Sequence, residues 1–262
     1  MTEAITENRM NVLLLGGTSE ATRLAVQLAA EPGIDATLSL AGRTARPPAS
    51  PLPVRSGGFG GAGGLACYLI SEAIGLVIDA THPFAARISS NAVLACAEAR
   101  IPLIVVERPP WHKTSADDWQ EHATVAEAVA ALPVTPCRIF SALGRSAITE
   151  LETRPEHHYI IRVVDPLTPP PGLATATIIA ARGPFNVDDD TALFRKHGVD
   201  LVLAKNSGGD AAYAKIEAAR RLGIKVHLIR RPIIAERETV RSVDDAMDWI
   251  RAHYSTLTDR GV

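Results

Sequence analysis

The stretch that most limits what this chain can become runs from Val12 to Ala30, V-L-L-L-G-G-T-S-E-A-T-R-L-A-V-Q-L-A-A. An apolar run, Val12 to Leu15, stops at Gly16-Gly17. Thr18 and Ser19 then bring N-cap chemistry, and Glu20 puts a negative charge in the first helical turn. Ala21, Leu24, Ala25, Leu28 and Ala29 fall on one helical face. This pattern is a buried parallel strand, a glycine turn and a helix. Amide groups at such a helix start attract phosphate, and glycine lets the phosphate approach closely. The turn lacks the full G-x-G-x-x-G fingerprint, so a tight turn without a ligand is the competing reading. Its place on the first strand of an α/β pattern favours phosphate.

With 262 residues, 47% of them apolar and 21% charged, the chain has enough apolar residues for a sizeable core. A net charge of −2 gives no global basic field to recruit nucleic acid, so any anion site is local. Cys67, Cys96 and Cys137 are widely spaced and form no C-x-x-C pair, which points to reduced thiols and away from disulfides or zinc. The first ten residues lack a signal-peptide core, and no apolar run reaches membrane-span length. The expected setting is cytoplasmic, with neither membrane nor nucleic acid as a partner.

The pattern continues along the chain. Ala36 to Leu40 reads as a second strand ending at Ala41-Gly42-Arg43-Thr44. In a dinucleotide fold this position sets the cofactor: an acidic residue pairs with a ribose hydroxyl, an arginine with a 2′-phosphate. Arg43 and Arg46 are present and no acidic residue follows, which favours NADP. Residues 46–53 read as proline-rich loop. Arg55 to Gly64 then holds six glycines in eight residues, either a floppy loop or a flap over a flat ligand, and leads into a helix from Leu65 to Ala73. Gly75 to Ala80 is the next buried strand, ending in Asp79-Ala80-Thr81-His82-Pro83-Phe84-Ala85, ahead of a helix to Arg100. His82 suits a proton donor or a phosphate contact, and a lone histidine is poor support for a metal site. Pro102 to Glu107 is a strand closed by Arg108-Pro109-Pro110-Trp111, and a short helix follows at Thr124 to Leu132.

Ala131 to Pro136 reads as an interdomain linker, dividing the chain into residues 1–134 and 135–262. A second series begins at Cys137. Strands are expected at 137–142, 159–164, 177–181, 200–204 and 226–229, with helices after Ser146 and at 188–197, 210–222 and 242–254. Ile78 to Pro109 and Leu201 to Pro232 share one plan at one length, which sets His82 opposite Lys205. The expected fold class is therefore α/β, two doubly wound, Rossmann-like parallel-sheet domains facing a central cleft. Arg43, Arg145, Arg182, Lys205 and Arg231 all fall at strand ends, a distribution suited to a ligand with several carboxylates or phosphates.

Several enzyme classes drop out. No tyrosine has lysine four residues on, as short-chain dehydrogenases require. No G-x-x-x-x-G-K-[ST] loop and no G-x-S-x-G elbow is present. Taken together, L-L-G-G-T-S-E-A at 14–21, A-G-R at 41–43, R-S-G-G-F-G-G at 55–61, D-A-T-H-P-F-A at 79–85, E-R-P-P-W at 107–111, R-G-P-F at 182–185 and K-N-S-G-G at 205–209 resemble the precorrin-6A reductases of cobalamin biosynthesis. The resemblance covers Val12 to about Pro232. It implies NADPH-dependent reduction of one double bond of the precorrin-6A macrocycle to precorrin-6B, with hydride at C18 and a proton at C19, and no metal or flavin. Relatives of the anaerobic route act on the cobalt form.

The roles that follow are expectations. Gly16, Gly17, Thr18 and Ser19 hold the pyrophosphate or its neighbouring ribose phosphate. Arg43 and Thr44 take the 2′-phosphate, and Ala80, Thr81 and His82 lie by the nicotinamide half. Gly58, Phe59, Arg182, Asn206, Ser207 and Gly208 contact the tetrapyrrole, and Lys205 is the candidate for electrostatic help or proton delivery. The assembly expected is a monomer or small homo-oligomer. Two other readings share these residues: a non-catalytic module that binds a nucleotide or tetrapyrrole, and an NADP-dependent reductase of a smaller anion.

Overall fold

A computed structural model describes residues 9–42 and 49–258. The chain forms two compact units, one made of the residues up to Arg108 together with those from Ile233 onward, the other of Pro109–Pro232. The first unit opens with β1 (Met10–Leu15), α1 (Ser19–Ala30), β2 (Ile34–Leu40), β3 (Val54–Ser56), α2 (Ala62–Ser71), β4 (Ile74–Asp79), α3 (Ala86–Ala99) and β5 (Leu103–Val106). The second contains β6 (Trp119–His122), α4 (Val125–Ala130), β7 (Arg138–Ser141), a 3-10 turn (Arg145–Ala147), α5 (Ile148–Leu151), β8 (His158–Val163), a 3-10 turn (Pro171–Leu173), β9 (Thr177–Ala180), α6 (Val187–His197), β10 (Leu201–Lys205), α7 (Ala214–Leu222) and β11 (Lys225–Ile229). The chain then returns to the first unit with β12 (Thr239–Val240) and α8 (Val243–Thr258).

Each unit has one six-stranded sheet, in the order β12-β5-β4-β1-β2-β3 in the first and β6-β11-β10-β7-β8-β9 in the second. Every pairing is parallel. Both are doubly wound sheets whose order reverses beside the first strand of the series, at β1/β4 and at β7/β10. The α/β expectation thus holds for each unit. The division at 134/135 does not coincide with the compact units. β6 pairs with β11, which draws β6 and α4 into the second unit. β12 pairs with β5, and Val243, Ala246, Met247 and Ile250 of α8 enter the core of the first.

The unbroken apolar reading of β1 follows from having helices on both faces. Val12 and Leu14 face α1 and α8, packing with Leu24, Leu28, Met247 and Ile250. Leu13 and Leu15 face α2 and α3, packing with Leu65, Leu69, Ala92 and Ala95. Successive side chains alternate across the sheet, so each half of the run feeds a different core layer. Each such leucine, fully buried, contributes about 1.5–3 kcal/mol. The second core gathers Phe140, Ile160, Phe194, Val202, Ile216 and Leu228. Helix α6 shows how local chemistry sets boundaries. Asn186 caps it by accepting from the Asp189 amide at 2.8 Å, acidic residues fill its first turn and basic residues its last, and Gly198 ends it at φ 57°.

Candidate functional site

In each sheet the turns that leave the carboxyl ends of the strands beside the order reversal are the places where a ligand can meet backbone amides. In the first unit the turn after β1 is built by two glycines with different duties. A Cβ on Gly16 would lie 2.5 Å from Leu38 Cδ1 and 3.2 Å from Ala21 Cβ, so only glycine lets the turn lie against β2 and α1. Gly17 sits at φ +118°, a conformation for glycine, with open space where a Cβ would go. The Thr18 hydroxyl accepts from the Ala21 amide at 3.2 Å and donates to the Ala80 carbonyl at 2.7 Å. It therefore caps α1 and ties this turn to the end of β4. Gly17 and Ser19 are exposed.

Behind the turn, Glu20 is buried and paired with Arg108 at 3.2 Å. Burial pushes the Glu20 carboxyl up, but Arg108, its own backbone amide and the Ser19 hydroxyl outweigh that and hold it below the usual carboxylate value. Arg43 and Thr44 lie outside the described residues. The glycine loop after β3 is anchored. Arg55 donates to Ser39 Oγ at 2.8 Å and to the carbonyls of Gly57 at 3.2 Å and Gly58 at 3.3 Å. Its guanidinium lies 3.7 Å from the centre of the Phe59 ring, which meets Tyr68 edge-on at 5.1 Å. Phe59 is thus half-buried and held, while Gly58 is exposed. The helix after the loop starts at Ala62, three residues before the expected Leu65, with Gly61 at φ 100° as its cap.

At the end of β4, Asp79 is 1% exposed. Its Oδ1 accepts from the Thr81 amide at 3.0 Å and hydroxyl at 2.6 Å, and its Oδ2 is buried without a hydrogen-bond partner. Burial and the nearby Asp79 charge push the Cys96 thiol up to about 12, an inert side chain. His82 Nδ1 accepts from the Phe84 amide at 3.2 Å, which puts the proton of a neutral ring on Nε2 and makes that nitrogen the donor. Gly16, Gly17, Thr18, Ser19, Ala80, Thr81 and His82 are thus gathered at two adjoining strand ends of one sheet, joined by the Thr18–Ala80 hydrogen bond. A cavity of about 410 Å³ in this unit, lined by Arg9, Asn11, Asp35 and Thr37 among others, opens at the amino ends of β1 and β2, away from these turns.

In the second unit the turn after β10 is heavily braced. Lys205 ends the strand and donates from Nζ to the Leu143 carbonyl at 3.0 Å, across to the turn after β7. The Asn206 carboxamide accepts from the Trp111 amide at 2.8 Å and donates to the Trp111 carbonyl at 2.9 Å. Trp111 Nε1 donates to the Gly209 carbonyl at 2.8 Å. Arg231 donates to the carbonyls of Asn206 at 3.0 Å and Ser207 at 3.1 Å. Asn206, Ser207 and Gly208 are buried, whereas Lys205 is half-buried. β4 and β10 hold the same place in their own sheets, but Lys205 is the last residue of β10 and His82 lies three beyond β4, so the ungapped pairing of the two is not one of equivalent positions.

Arg182 is exposed in the turn between β9 and α6. Two residues not singled out in the sequence support that turn. Arg162, buried on β8, forms a two-pronged ion pair with Asp190 on α6, and its guanidinium lies 4.1 Å from the centre of the Phe185 ring in this turn. Nothing in the sequence separates Arg162 from an ordinary surface arginine except its place inside the apolar run Tyr159 to Val164. Trp111, Arg108 and Arg231 stood in motifs or at strand ends, yet their partners are distant in sequence and invisible there.

Among the described residues no helix is long and apolar enough to cross a membrane. A family model described as precorrin-6x reductase CbiJ/CobK matches residues 11–251. A precorrin-6A reductase of Rhodobacter capsulatus is 47% identical over 251 residues, 96% of this chain and 99% of its own length. One from a Sinorhizobium species is 48% identical over 243 residues, 93% of each chain. A solved structure of CobK precorrin-6A reductase superposes with a TM-score of 0.88 at 47% identity, covering 93% of this chain and 97% of that one.

Proposed function

Because the chain belongs to the precorrin-6x reductase CbiJ/CobK family, we propose that it reduces precorrin-6A to precorrin-6B in cobalamin biosynthesis, using NADPH. As a reductase of this family it works with a reduced nucleotide. NADPH, when bound, supplies the hydride. The reaction adds that hydride and one proton across a double bond of the macrocycle, so the bond is saturated and NADP+ is released. The observation that carries the reading is the turn at Gly16–Ser19. It lies where the strand order reverses, Gly17 keeps a positive φ with open space above it, and the first amides of α1 precede the Thr18-capped Ala21. Those residues fit a pyrophosphate. Arg43 and Thr44, directly after β2 in sequence, are the natural partners of a 2′-phosphate, and Ala80, Thr81 and His82 of the nicotinamide half.

The second unit supplies the substrate side. Lys205 offers a positive charge at a strand end and is the candidate for stabilising charge that develops on the macrocycle or for delivering the proton. In the second unit the exposed Arg182 suits a ring carboxylate, while Ser207 and Gly208 are buried in the turn that follows Lys205; in the first unit Gly58 is exposed beside the half-buried Phe59. Asn206 serves the same surface less directly, since both ends of its carboxamide are engaged by Trp111. Cys67, Cys96 and Cys137 are free thiols, which suits a reaction carried out in the reducing cytoplasm.

Mixing the purified protein with precorrin-6A and NADPH, and following the nicotinamide and macrocycle absorbances together, tests the reading. We expect equimolar NADPH oxidation and loss of the precorrin-6A spectrum. Binding without oxidation would replace it with the non-catalytic module, and oxidation only with a smaller anion with the third reading. In the same assay Arg43→Ala raises KM for NADPH far more than KM for NADH, and Lys205→Ala lowers kcat about 10²-fold. Equal losses with both nucleotides, or turnover of the lysine variant at the parent rate, would remove those two assignments.

A further inference from the structure

We infer that Arg231 and Trp111 are positioning residues that lock the K-N-S-G-G turn into the one conformation its anionic ligand requires. The identity of that ligand rests on the proposed function; the lock itself rests on the geometry alone. Gly208 and Gly209 both have positive φ, at +67° and +66°. Two such glycines in succession give a backbone with a large entropy to lose, so an unsupported turn of this sequence samples many shapes.

The support is specific. Arg231 follows β11 and reaches the turn after its neighbour β10, giving one guanidinium nitrogen to each of two successive carbonyls, Asn206 and Ser207. Trp111 holds the same turn from the other side, through its backbone to the Asn206 carboxamide and through its indole N–H to the Gly209 carbonyl. The Lys205 carbonyl accepts from the Ser207 amide at 2.8 Å. Four carbonyls of the turn thus meet donors of the protein itself. A carbonyl left bare would repel a carboxylate ligand, while one already engaged by a donor repels it less. Gly208 completes the lock, for a Cβ there would lie 2.2 Å from Arg231 Nη2 and 2.3 Å from the Pro109 carbonyl. The segment by which the chain comes into the second unit and the residue before it leaves therefore grip one turn.

The test uses Arg231→Met and Trp111→Phe in the full chain, with hydrogen exchange of the 205–211 backbone and steady-state kinetics as separate readouts. We expect exchange of that segment to quicken about 10-fold in Arg231→Met, and KM for precorrin-6A to rise about 10-fold, with KM for NADPH unchanged. Trp111→Phe keeps an aromatic ring and loses only the indole donor, so it moves both quantities in the same direction by less. Arg231→Lys, able to reach one carbonyl at a time, restores part of each. Unchanged exchange in both variants overturns the lock. Quickened exchange with KM for precorrin-6A unmoved overturns its service to the ligand, and so does an equal rise in both KM values. If the unaltered protein fails to oxidise NADPH with precorrin-6A, the functional reading falls while the exchange measurement still decides the lock. An Arg231→Met chain too unstable to study leaves Trp111→Phe to decide both points.

Discussion

Gly63 and Gly64 stand side by side at the start of α2 under opposite constraints. A Cβ on Gly63 meets nothing within 4 Å, whereas one on Gly64 would lie 1.8 Å from the Phe59 carbonyl oxygen. Gly63→Ala should stabilise the first unit by about 0.5–1 kcal/mol by trimming unfolded-state freedom. Gly64→Ala should destabilise it by more than Gly63→Ala gains, since the obstacle is backbone. Urea unfolding of both variants checks this, and equal effects would show that the loop moves aside. Sequence alone ranks the two glycines as equals, because the carbonyl that separates them belongs to a residue folded back by Arg55. The same limit applies at the braced turn of the second unit. K-N-S-G-G is legible as a motif, but that Asn206 binds Trp111, 95 positions away, is not. Exposure was readable from type and position, as at Gly17 and Ser19; contacts with a distant part of the chain were not.

Among the elements, α1 carries a buried ion pair as well as its apolar face. Glu20 in its first turn and Arg108 just beyond β5 are 12% and 15% exposed in their side chains. Glu20→Gln leaves the guanidinium without its carboxylate and should lower stability by about 1–3 kcal/mol at neutral pH. Because the folded-state pKa of Glu20 lies below the ordinary value of 4.5, its contribution is complete above that pH and is lost as the pH falls through the folded value. The gap between wild type and Glu20→Gln in denaturant midpoint should therefore close on acidification below 4.5; a constant gap would mean that packing, and not charge, sets the loss. The strands that the sequence pattern missed share one property. β3, β6 and β12 are all edge strands. V-R-S, W-Q-E-H and T-V are short and largely polar because each has a neighbour on one side only, so none shows the apolar run of a central strand. The central strands, buried on both faces, were plain.

For the molecule as a whole, the first unit is discontinuous. Its sheet takes β12, and its core takes Val243, Ala246, Met247 and Ile250, from beyond the second unit. The linker-like stretch Ala131 to Pro136 suggested a single cut near 134, and only pairing partners reveal that the chain crosses twice, after Arg108 and after Pro232. A chain ended at Pro232 should lose the cooperative unfolding of the first unit, while residues 109–232 still unfold cooperatively. Calorimetry of both fragments checks this; an intact first transition in the truncated chain would show α8 to be dispensable. The discontinuity also sets an order of events during synthesis. A ribosome adds roughly 5–20 residues per second, and domains ordinarily close in the order they emerge. Here the part made first must wait for the part made last. Until α8 is made, Val12 and Leu14 have Leu24 and Leu28 of α1 but lack Met247 and Ile250, so the core of the first unit is completed only after the second unit has been synthesised.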